Sequence, residues 1–259
     1  MYERRRKIFQ RHTSRPVYVC PHGVDPNVFR FTARRWSRLD KDRLPFTFLY
    51  VGANNPSKGI QALLEWWTNT RLTAVQYVQL YLKMHGFESQ EAIDRLLHVG
   101  GLRPVFQDGH GGMVFQVGNI TLDTRLLSHP ALAEIYHGAH CFVSPNHGES
   151  FALTLLEAQA TGLPVVATRY GGYLDYCDDE TAFLVRCTLE PMVSSDGRTV
   201  IGAVIDPQEW CDKTSTVVNE YAQAVEVGKR AAVHVRQEWT HAHAQRKFLL
   251  ALQEIMQEQ

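Results

Sequence analysis

Two glutamates, Glu149 and Glu157, are the carboxylates of this sequence that are best placed to bind a polar ligand. Glu149 lies at the junction between an apolar segment and an amphipathic one, and Glu157 lies about two helical turns further on. An ionised carboxylate only accepts hydrogen bonds, so Glu149 suits sugar hydroxyls and Glu157 suits the two vicinal hydroxyls of a ribose. An acidic residue at a helix start and a salt-bridged glutamate would give the same spacing, so the pair alone does not distinguish a ligand-binding site from two structural glutamates.

The segment between the two glutamates predicts an anion site. A helix is expected over residues 150–161, followed by Gly162. The first N–H groups of a helix have no acceptor within it, and the helix dipole adds positive potential at the same end. The backbone amides of residues 150–153 would therefore bind a diphosphate.

The elements that would position these groups alternate between strand and helix. Apolar segments predict strands at 16–20, 46–51, 75–82, 114–117, 140–145, 164–168 and 183–186. Helical spacing predicts helices at 1–12, 60–67, 90–98, 127–136, 150–161 and most of 209–257, and residues 188–200 are expected to form a surface insertion. This alternation predicts an α/β fold with an open parallel sheet and helices on both faces.

In such a sheet, ligands bind outside the carboxyl ends of the strands. The loops expected there are 52–58, 145–149 and 169–175. These three loops are therefore where a ligand-binding site is expected.

Composition narrows the class of protein. The 259 residues include 27 Lys plus Arg and 27 Asp plus Glu, and this balance disfavours a protein that coats nucleic acid. No apolar run is long enough to span a membrane, and residues 1–15 lack the apolar core of a signal peptide. The five cysteines are scattered without C-x-x-C spacing, which is typical of a reduced, cytoplasmic chain.

Two further patterns could suggest a metal, and both are interpreted otherwise. Asp40 and Asp42 form a D-x-D pattern in a charged segment, which we interpret as a surface loop. His137, His140 and His147 straddle a predicted helix end and a strand, so joint zinc ligation is disfavoured. No metal is expected.

The segment from Glu149 to Glu157 resembles the signature of the retaining GT-B glycosyltransferases, chiefly glycosyltransferase family 4, whose hallmark is E-x7-E. The small-residue run 158–161, the Gly-Leu-Pro-Val-Val entry at 162–166 and the Gly171-Gly172 turn follow in the family's order. Pro-His-Gly-Val-Asp at 21–25, the loop from Tyr50 to Ile60, and residues 132–142 match as well. The resemblance covers roughly residues 15–186 and, more loosely, the helical tail.

The resemblance implies roles for the residues. Lys58 would pair with the donor diphosphate, Glu149 would hold the transferred sugar, Glu157 would hold the ribose, and the nucleobase would lie near residues 118–120. Glu149 and Lys58 are the catalytic candidates, and the predicted donor-binding set is Gly52, Lys58, Gly118, Asn119, Ile120, Glu149, Ser150, Phe151, Ala152, Leu153 and Glu157. The donor is a nucleotide diphosphate sugar, and neither a metal nor another cofactor is implied.

Two departures from the family pattern bear on these roles. Ala53 follows the Val-Gly of the first loop, where the family usually has an arginine, so one phosphate cation is missing or supplied elsewhere; Arg169 is a candidate. Ser150 and Ala152 stand where the family often has glycine. Both are small enough to be tolerated.

The resemblance also implies that this chain is a carboxy-terminal, donor-binding half. Residues 1–14 would be a helical remnant of an amino-terminal acceptor domain, 15–238 a Rossmann-like nucleotide-sugar-binding domain, and 239–259 a carboxy-terminal helix. The implied partner is a separate amino-terminal GT-B half or a second copy of the chain. The basic stretch at 4–7 leaves peripheral membrane contact open.

Three functions remain open at this point. The first is the donor half of a retaining glycosyltransferase of the hexosyltransferase type, which moves a sugar to an acceptor hydroxyl. The second is a non-catalytic nucleotide-sugar-binding subunit with a regulatory or assembly role. The third, a sugar-nucleotide epimerase of the same fold, fits the loop pattern less well.

Overall fold

The computed structural model describes residues 2–36, 45–70, 77–87, 90–98, 103–194 and 196–257. The helices are α1 (Tyr2–Gln10), α2 (Ile60–Asn69), α3 (Gln90–Leu97), α4 (His129–Gly138), α5 (Leu153–Ala160), α6 (Pro207–Asn219), α7 (Tyr221–Glu238) and α8 (His241–Gln257). The strands are β1 (Phe46–Ala53), β2 (Val78–His85), β3 (Phe106–Gln107), β4 (Met113–Val117), β5 (Ile120–Asp123), β6 (Cys141–Ser144), β7 (Val165–Thr168), β8 (Phe183–Val185), β9 (Cys187–Val193) and β10 (Thr199–Ile205).

A sheet of eight strands forms the centre of the molecule, in the order β3-β4-β5-β2-β1-β6-β7-β8. The six strands from β5 to β8 in this order run parallel, which confirms the α/β fold with a parallel sheet flanked by helices. At one edge, β4 runs antiparallel to both β5 and β3. The short turn between β4 and β5 leaves no room for the crossover that a parallel pair requires.

Alternation along the strands divides the core between the two faces of the sheet. On β1, Phe46, Phe48 and Tyr50 belong to a cluster with α2, α3 and α6, whereas Leu49 belongs to a second cluster with α4 and α5. Successive side chains of a strand point to opposite faces, so a continuous apolar run buries both. The second face carries α5 and therefore concerns the candidate site.

Three predicted elements differ from the structure. Residues 16–20 form no strand, because Pro16 and Pro21 offer no N–H and the amide of Val17 donates to the Gln10 side chain at 3.0 Å. The expected surface insertion contains two antiparallel strands, β9 and β10, which the residue pattern does not predict. The predicted Asp40–Asp42 surface loop lies outside the described residues.

The third difference is the start of α5, which begins at Leu153 rather than at residue 150. Ala152 adopts a left-handed conformation with φ 63°, and this reverses the chain just before the helix. Residues 150–152 are therefore loop, and the helix amides at the amino end belong to later residues than the sequence predicts.

Candidate functional site

Lys58 and Glu149 meet at the carboxyl ends of the parallel strands, in two of the three loops where the sequence predicts a ligand-binding site. The ammonium of Lys58 contacts Oε2 of Glu149, and Oε1 of Glu149 accepts the amide of Ser150 at 2.9 Å. Their side chains are 28% and 15% exposed, so the pair is accessible from one side only. The two charges neutralise each other across the junction of the two loops.

Backbone contacts hold the two loops together. The Asn55 side chain accepts the amide of Ser57 at 2.9 Å, and the Ser57 carbonyl accepts the amide of His147 at 2.9 Å. His147 in turn bonds β10, since its carbonyl accepts the Ala203 amide and its Nδ1 lies 2.7 Å from the Ala203 carbonyl oxygen. The β9–β10 hairpin is thus anchored directly on the loop that carries Glu149.

Two glycines allow this close approach. A Cβ on Gly59, which has φ 69°, would lie 1.8 Å from the Pro145 carbonyl oxygen. A Cβ on Gly172 would lie 1.5 Å from the Ser150 carbonyl oxygen, and the Gly172 amide donates to the Glu149 carbonyl at 2.8 Å. The Gly-Gly turn at 171–172 therefore supports the Glu149 loop from behind.

A cavity of about 400 Å³ brings most of the predicted donor-binding residues together. Its walls include the amino end of α5, where the amides of Leu153 and Thr154 have no acceptor within the helix. Phe151 and Ala152 are buried beneath it. The lining is His22, Tyr50, Val51, Gly52, Ala53, Lys58, His85, Ser144, Asn146, Glu149, Ser150, Phe151, Ala152, Leu153 and Thr154.

Glu157 lies in an adjoining cavity of about 380 Å³ that shares His22 and Leu153 with the first. The Tyr136 hydroxyl lies 2.9 Å from Oε2 of Glu157 and 3.0 Å from the Thr154 carbonyl oxygen. Burial raises the pKa of Glu157 to about 7, and the Tyr136 hydrogen bond opposes that rise. The carboxyl group is therefore poised between its neutral and ionised forms near neutral pH.

The structure does not place the predicted nucleobase residues with the others. Gly118 and Asn119 form the turn from β4 to β5, and Ile120 pairs with Leu80 near the beginning of β2. Asn119 accepts the Trp67 indole N–H at 3.0 Å and donates to the Val78 carbonyl at 2.9 Å. The rule that ligands bind at the carboxyl ends of strands holds for parallel strands only. Because β4 is antiparallel to them, its carboxyl end lies beside the amino ends of the parallel strands.

The arginine suggested as a replacement cation also lies elsewhere. The guanidinium of Arg169 bonds the exposed carboxylate of Asp179, and Arg169 is absent from the lining of the cavity. Ala53 is part of that lining and contributes only a methyl group. Lys58 is therefore the one lysine or arginine among the described residues that line this cavity.

Sequence reasoning missed two histidines of the cavity, His22 and His85. His22 lies inside the Pro-His-Gly-Val-Asp pattern, and nothing in that pattern marks its imidazole as a ligand-binding group. His85 ends β2, so the rule that ligands bind at carboxyl ends could have identified it.

Within the described ranges, no group of three or more His, Cys, Asp or Glu side chains is arranged to hold a metal ion. Among the helices of the same ranges, none is both long and apolar enough to cross a bilayer.

Comparisons with known proteins identify the family and the fold of this chain. The family model of "Glycosyl transferases group 1" matches residues 45–220, which is more than half of the chain. The D-inositol 3-phosphate glycosyltransferase of Arthrobacter sp. strain FB24 is 36% identical over 227 residues, which cover 85% of this chain and 46% of that protein. The chain spans about half the length of this relative and of the corresponding protein of Paenarthrobacter aurescens.

Two solved structures show the same fold at low identity. The C-terminal domain of a group 1 family glycosyl transferase (LpcC) from Francisella tularensis superposes with a TM-score of 0.59 at 17% identity, over 84% of this chain and 99% of that chain. Anabaena Alr3699/HepE in complex with UDP and glucose superposes with a TM-score of 0.66 at 14% identity, over 97% and 61%. Both carry the GT-B type of parallel sheet seen here. Because the family model matches more than half of its residues, this chain belongs to the group 1 glycosyl transferases.

Proposed function

We propose that this chain is the donor-binding half of a retaining, family 4 glycosyltransferase. It binds a nucleotide diphosphate sugar and presents the sugar for transfer to an acceptor hydroxyl. The observation that carries the proposal is the cavity in which Lys58, Glu149 and the first amides of α5 converge. A cation, an acceptor and free N–H groups are the three features that a diphosphate sugar needs from its site.

The two adjoining cavities suggest how the donor lies. The diphosphate occupies the cavity of Lys58 and the α5 amides, and the ribose reaches Glu157 next to it. The nucleobase then lies beyond Glu157, toward His129 at the start of α4. The relative HepE, solved with UDP and glucose, supports a uridine nucleotide as the first donor to test.

In the proposed reaction, the bond between the anomeric carbon and the diphosphate oxygen breaks, and negative charge develops on the leaving diphosphate. Lys58 and the α5 amides stabilise that charge. The leaving diphosphate takes the proton of the attacking hydroxyl on the same face of the sugar, so the anomeric configuration is retained. Glu149 holds the sugar hydroxyls, and no side-chain nucleophile of this chain is required.

The acceptor site is proposed to lie on an amino-terminal partner domain. The relatives are about twice as long as the matched region, so their remaining half is the natural candidate.

Helix α8 carries a row of apolar side chains spaced along one face, 38% to 76% exposed, which we call the α8 stripe. Its members are Phe248, Leu249, Leu252, Ile255 and Met256.

The test is calorimetric titration of the purified chain with UDP, GDP and ADP. One of them is expected to bind, and Lys58→Met is expected to weaken it by about tenfold or more, as for loss of a charge-assisted hydrogen bond. Lys229→Met, at an exposed lysine paired with Glu226, is the matched control and should bind like the wild type. Binding that is equally strong in Lys58→Met would refute the proposed site.

The non-catalytic subunit is the second candidate, and Ala53 is the observation that favours it, because the cavity holds a single lysine. The two candidates differ in the fate of a bound donor. An enzyme half hydrolyses or transfers the sugar of its nucleotide sugar when the acceptor domain is added, whereas a binding subunit returns the donor intact. The chain is incubated with its co-purified partner and the nucleotide sugar, and chromatography then shows whether the nucleotide sugar is intact. Loss of the sugar indicates the enzyme half, and an intact donor indicates the binding subunit.

A further inference from the structure

The cavity around Lys58 has less positive charge than its proposed ligand requires. A diphosphate carries negative charge on both phosphoryl groups, whereas Lys58, the only lysine among the described lining residues, is already paired with Glu149. The helix amides supply partial charges only. Two other side chains of the described lining are able to carry a positive charge, His22 and His85.

His22 is held at the amino end of α5 by an aromatic contact. Its ring meets Phe151 edge-on at 5.3 Å between centroids, and Phe151 is buried. The imidazole itself is exposed and lines both the diphosphate cavity and the cavity of Glu157. It therefore stands where the two halves of the donor would join.

His85 reaches the same cavity from the sheet. It pairs in register with Ala53, and its carbonyl accepts the Asn54 amide at 2.8 Å, so its backbone is fixed. Side chains two residues apart on a strand share a face, so Ala53 lies on the face of Val51, which packs with the α5 cluster. His85, level with Ala53 on the parallel neighbour strand, points to that face as well.

We propose that His22 and His85, when protonated, donate hydrogen bonds to the diphosphate of the donor and supply the charge that the Lys58–Glu149 pair does not. Protonated histidine donates from both ring nitrogens and has no lone pair to repel a phosphate oxygen. This inference rests on the proposed function and adds a dependence on pH to it, with donor affinity higher where both imidazoles are charged.

Other titratable or charged side chains lie around the two histidines. Near His85 they are Lys58, Lys83, His110, Asp123, Arg125 and Glu149, and near His22 they are Asp25, His129, Glu149, Glu157 and His241. Substituting the two histidines alone leaves all of these in place. Because burial raises the pKa of Glu157 to about 7, its charge changes between pH 6 and pH 8 in every variant, and the histidines are measured by the difference in pH dependence between the wild type and the double variant.

The test measures the affinity of a nucleotide sugar at pH 6 and pH 8. A nucleotide sugar is chosen because its diphosphate is a diester and keeps the same charge over this range. UDP-glucose, GDP-mannose and ADP-glucose are titrated first, and the one that binds the wild type is used. The variants are His22→Gln, His85→Gln, the double variant and His12→Gln, an exposed histidine outside the cavity, as control.

The wild type and His12→Gln are expected to bind more tightly at pH 6 than at pH 8. The double variant should lose about tenfold or more in affinity at pH 6, and its affinity should change much less with pH. His85→Lys, which carries its charge at both values, should restore tight binding at pH 8, a result that loss of a merely structural side chain would not produce.

The outcomes separate this inference from the function on which it rests. Wild-type binding with an unchanged double variant overturns the role of the histidines and leaves the donor site intact. Absence of binding of every nucleotide sugar to the wild type overturns the donor site, and the inference with it. Uridine, titrated as a probe without phosphates, should bind the double variant and the wild type equally if the uridine nucleotide is the donor.

Discussion

Lys58 and Glu149 neutralise each other, and this leads to an unusual expectation for a single substitution. Glu149→Gln keeps the size of the side chain but frees the Lys58 ammonium and removes a negative charge beside the diphosphate. We expect a nucleoside diphosphate without sugar to bind several-fold more tightly to this variant. In the wild type the ligand must separate Lys58 from its carboxylate partner, and in the variant that cost is absent. Titration of the matching nucleoside diphosphate into wild type and variant measures it, with Glu254→Gln on exposed α8 as control. Equal or weaker binding would show that Glu149 does not compete with the nucleoside diphosphate for the Lys58 ammonium.

Glu157 links the site to the stability of the fold. Its pKa is raised by burial from 4.5 to about 7, so the folded chain holds a proton that the unfolded chain releases between these values. Stability should therefore fall as pH rises from about 4.5 to 7, by up to about 3 kcal/mol from this group. Glu157→Gln should remove that loss and be more stable than wild type at pH 8, but not at pH 4.5.

Urea unfolding of both proteins at pH 4.5, 6 and 8 checks this expectation. Glu134→Gln, at a surface carboxylate on α4 beside Arg30, serves as the control and should keep the wild-type pH dependence. If the free energy of unfolding changed with pH in the same way for wild type and Glu157→Gln, burial would not raise the pKa of the Glu157 carboxyl group.

The Gly-Gly turn at 171–172 acts on the element that carries Glu149. Gly172→Ala would place a Cβ against the Ser150 carbonyl oxygen, so the turn and the Glu149 loop must separate. We expect about tenfold or greater loss of nucleotide affinity and a lower thermal midpoint. Gly109→Ala, where a Cβ meets nothing within 4 Å, is the matched control. A Gly172→Ala chain that binds normally would show that the loop adjusts without moving Glu149.

The sequence predicts most elements of this site because each one has a local cause. The apolar run 46–51 and the helical spacing after Gly59 place Lys58, and the strand at 140–145 places Glu149. The predicted nucleobase residues, 118–120, lie apart from the cavity because the direction of β4 depends on a turn and on pairing with β5. The predicted start of α5 was wrong because alanine rarely adopts a left-handed conformation, so the residue type of Ala152 does not indicate one.

At the scale of the whole molecule, the α8 stripe should determine solution behaviour. Five apolar side chains that share one helical face form a surface suited to association when they stay exposed. We expect the chain alone to self-associate with rising concentration, and the triple variant Phe248→Ser, Leu252→Ser, Ile255→Ser to stay monomeric in sedimentation velocity. Val233→Ser, an isolated exposed valine on α7, is the control. A wild-type chain that is monomeric throughout would show that the stripe does not join copies of this chain.

The strand order also has a consequence for how the chain is made. β1 lies beside β6 through the pairs Phe48–Cys141 and Leu49–Phe142, although these residues are far apart in the sequence. On a ribosome, β1 and Lys58 emerge long before their neighbours, and the apolar strand can be covered on one side only until the segment with β6 has been synthesised. The Lys58–Glu149 junction therefore forms only after the 91 residues that separate its two side chains have been synthesised, and contacts between distant segments fold slowly. Nascent chains that stop before β6 would expose β1 to chaperones, and the same interval is when they would be most prone to aggregate.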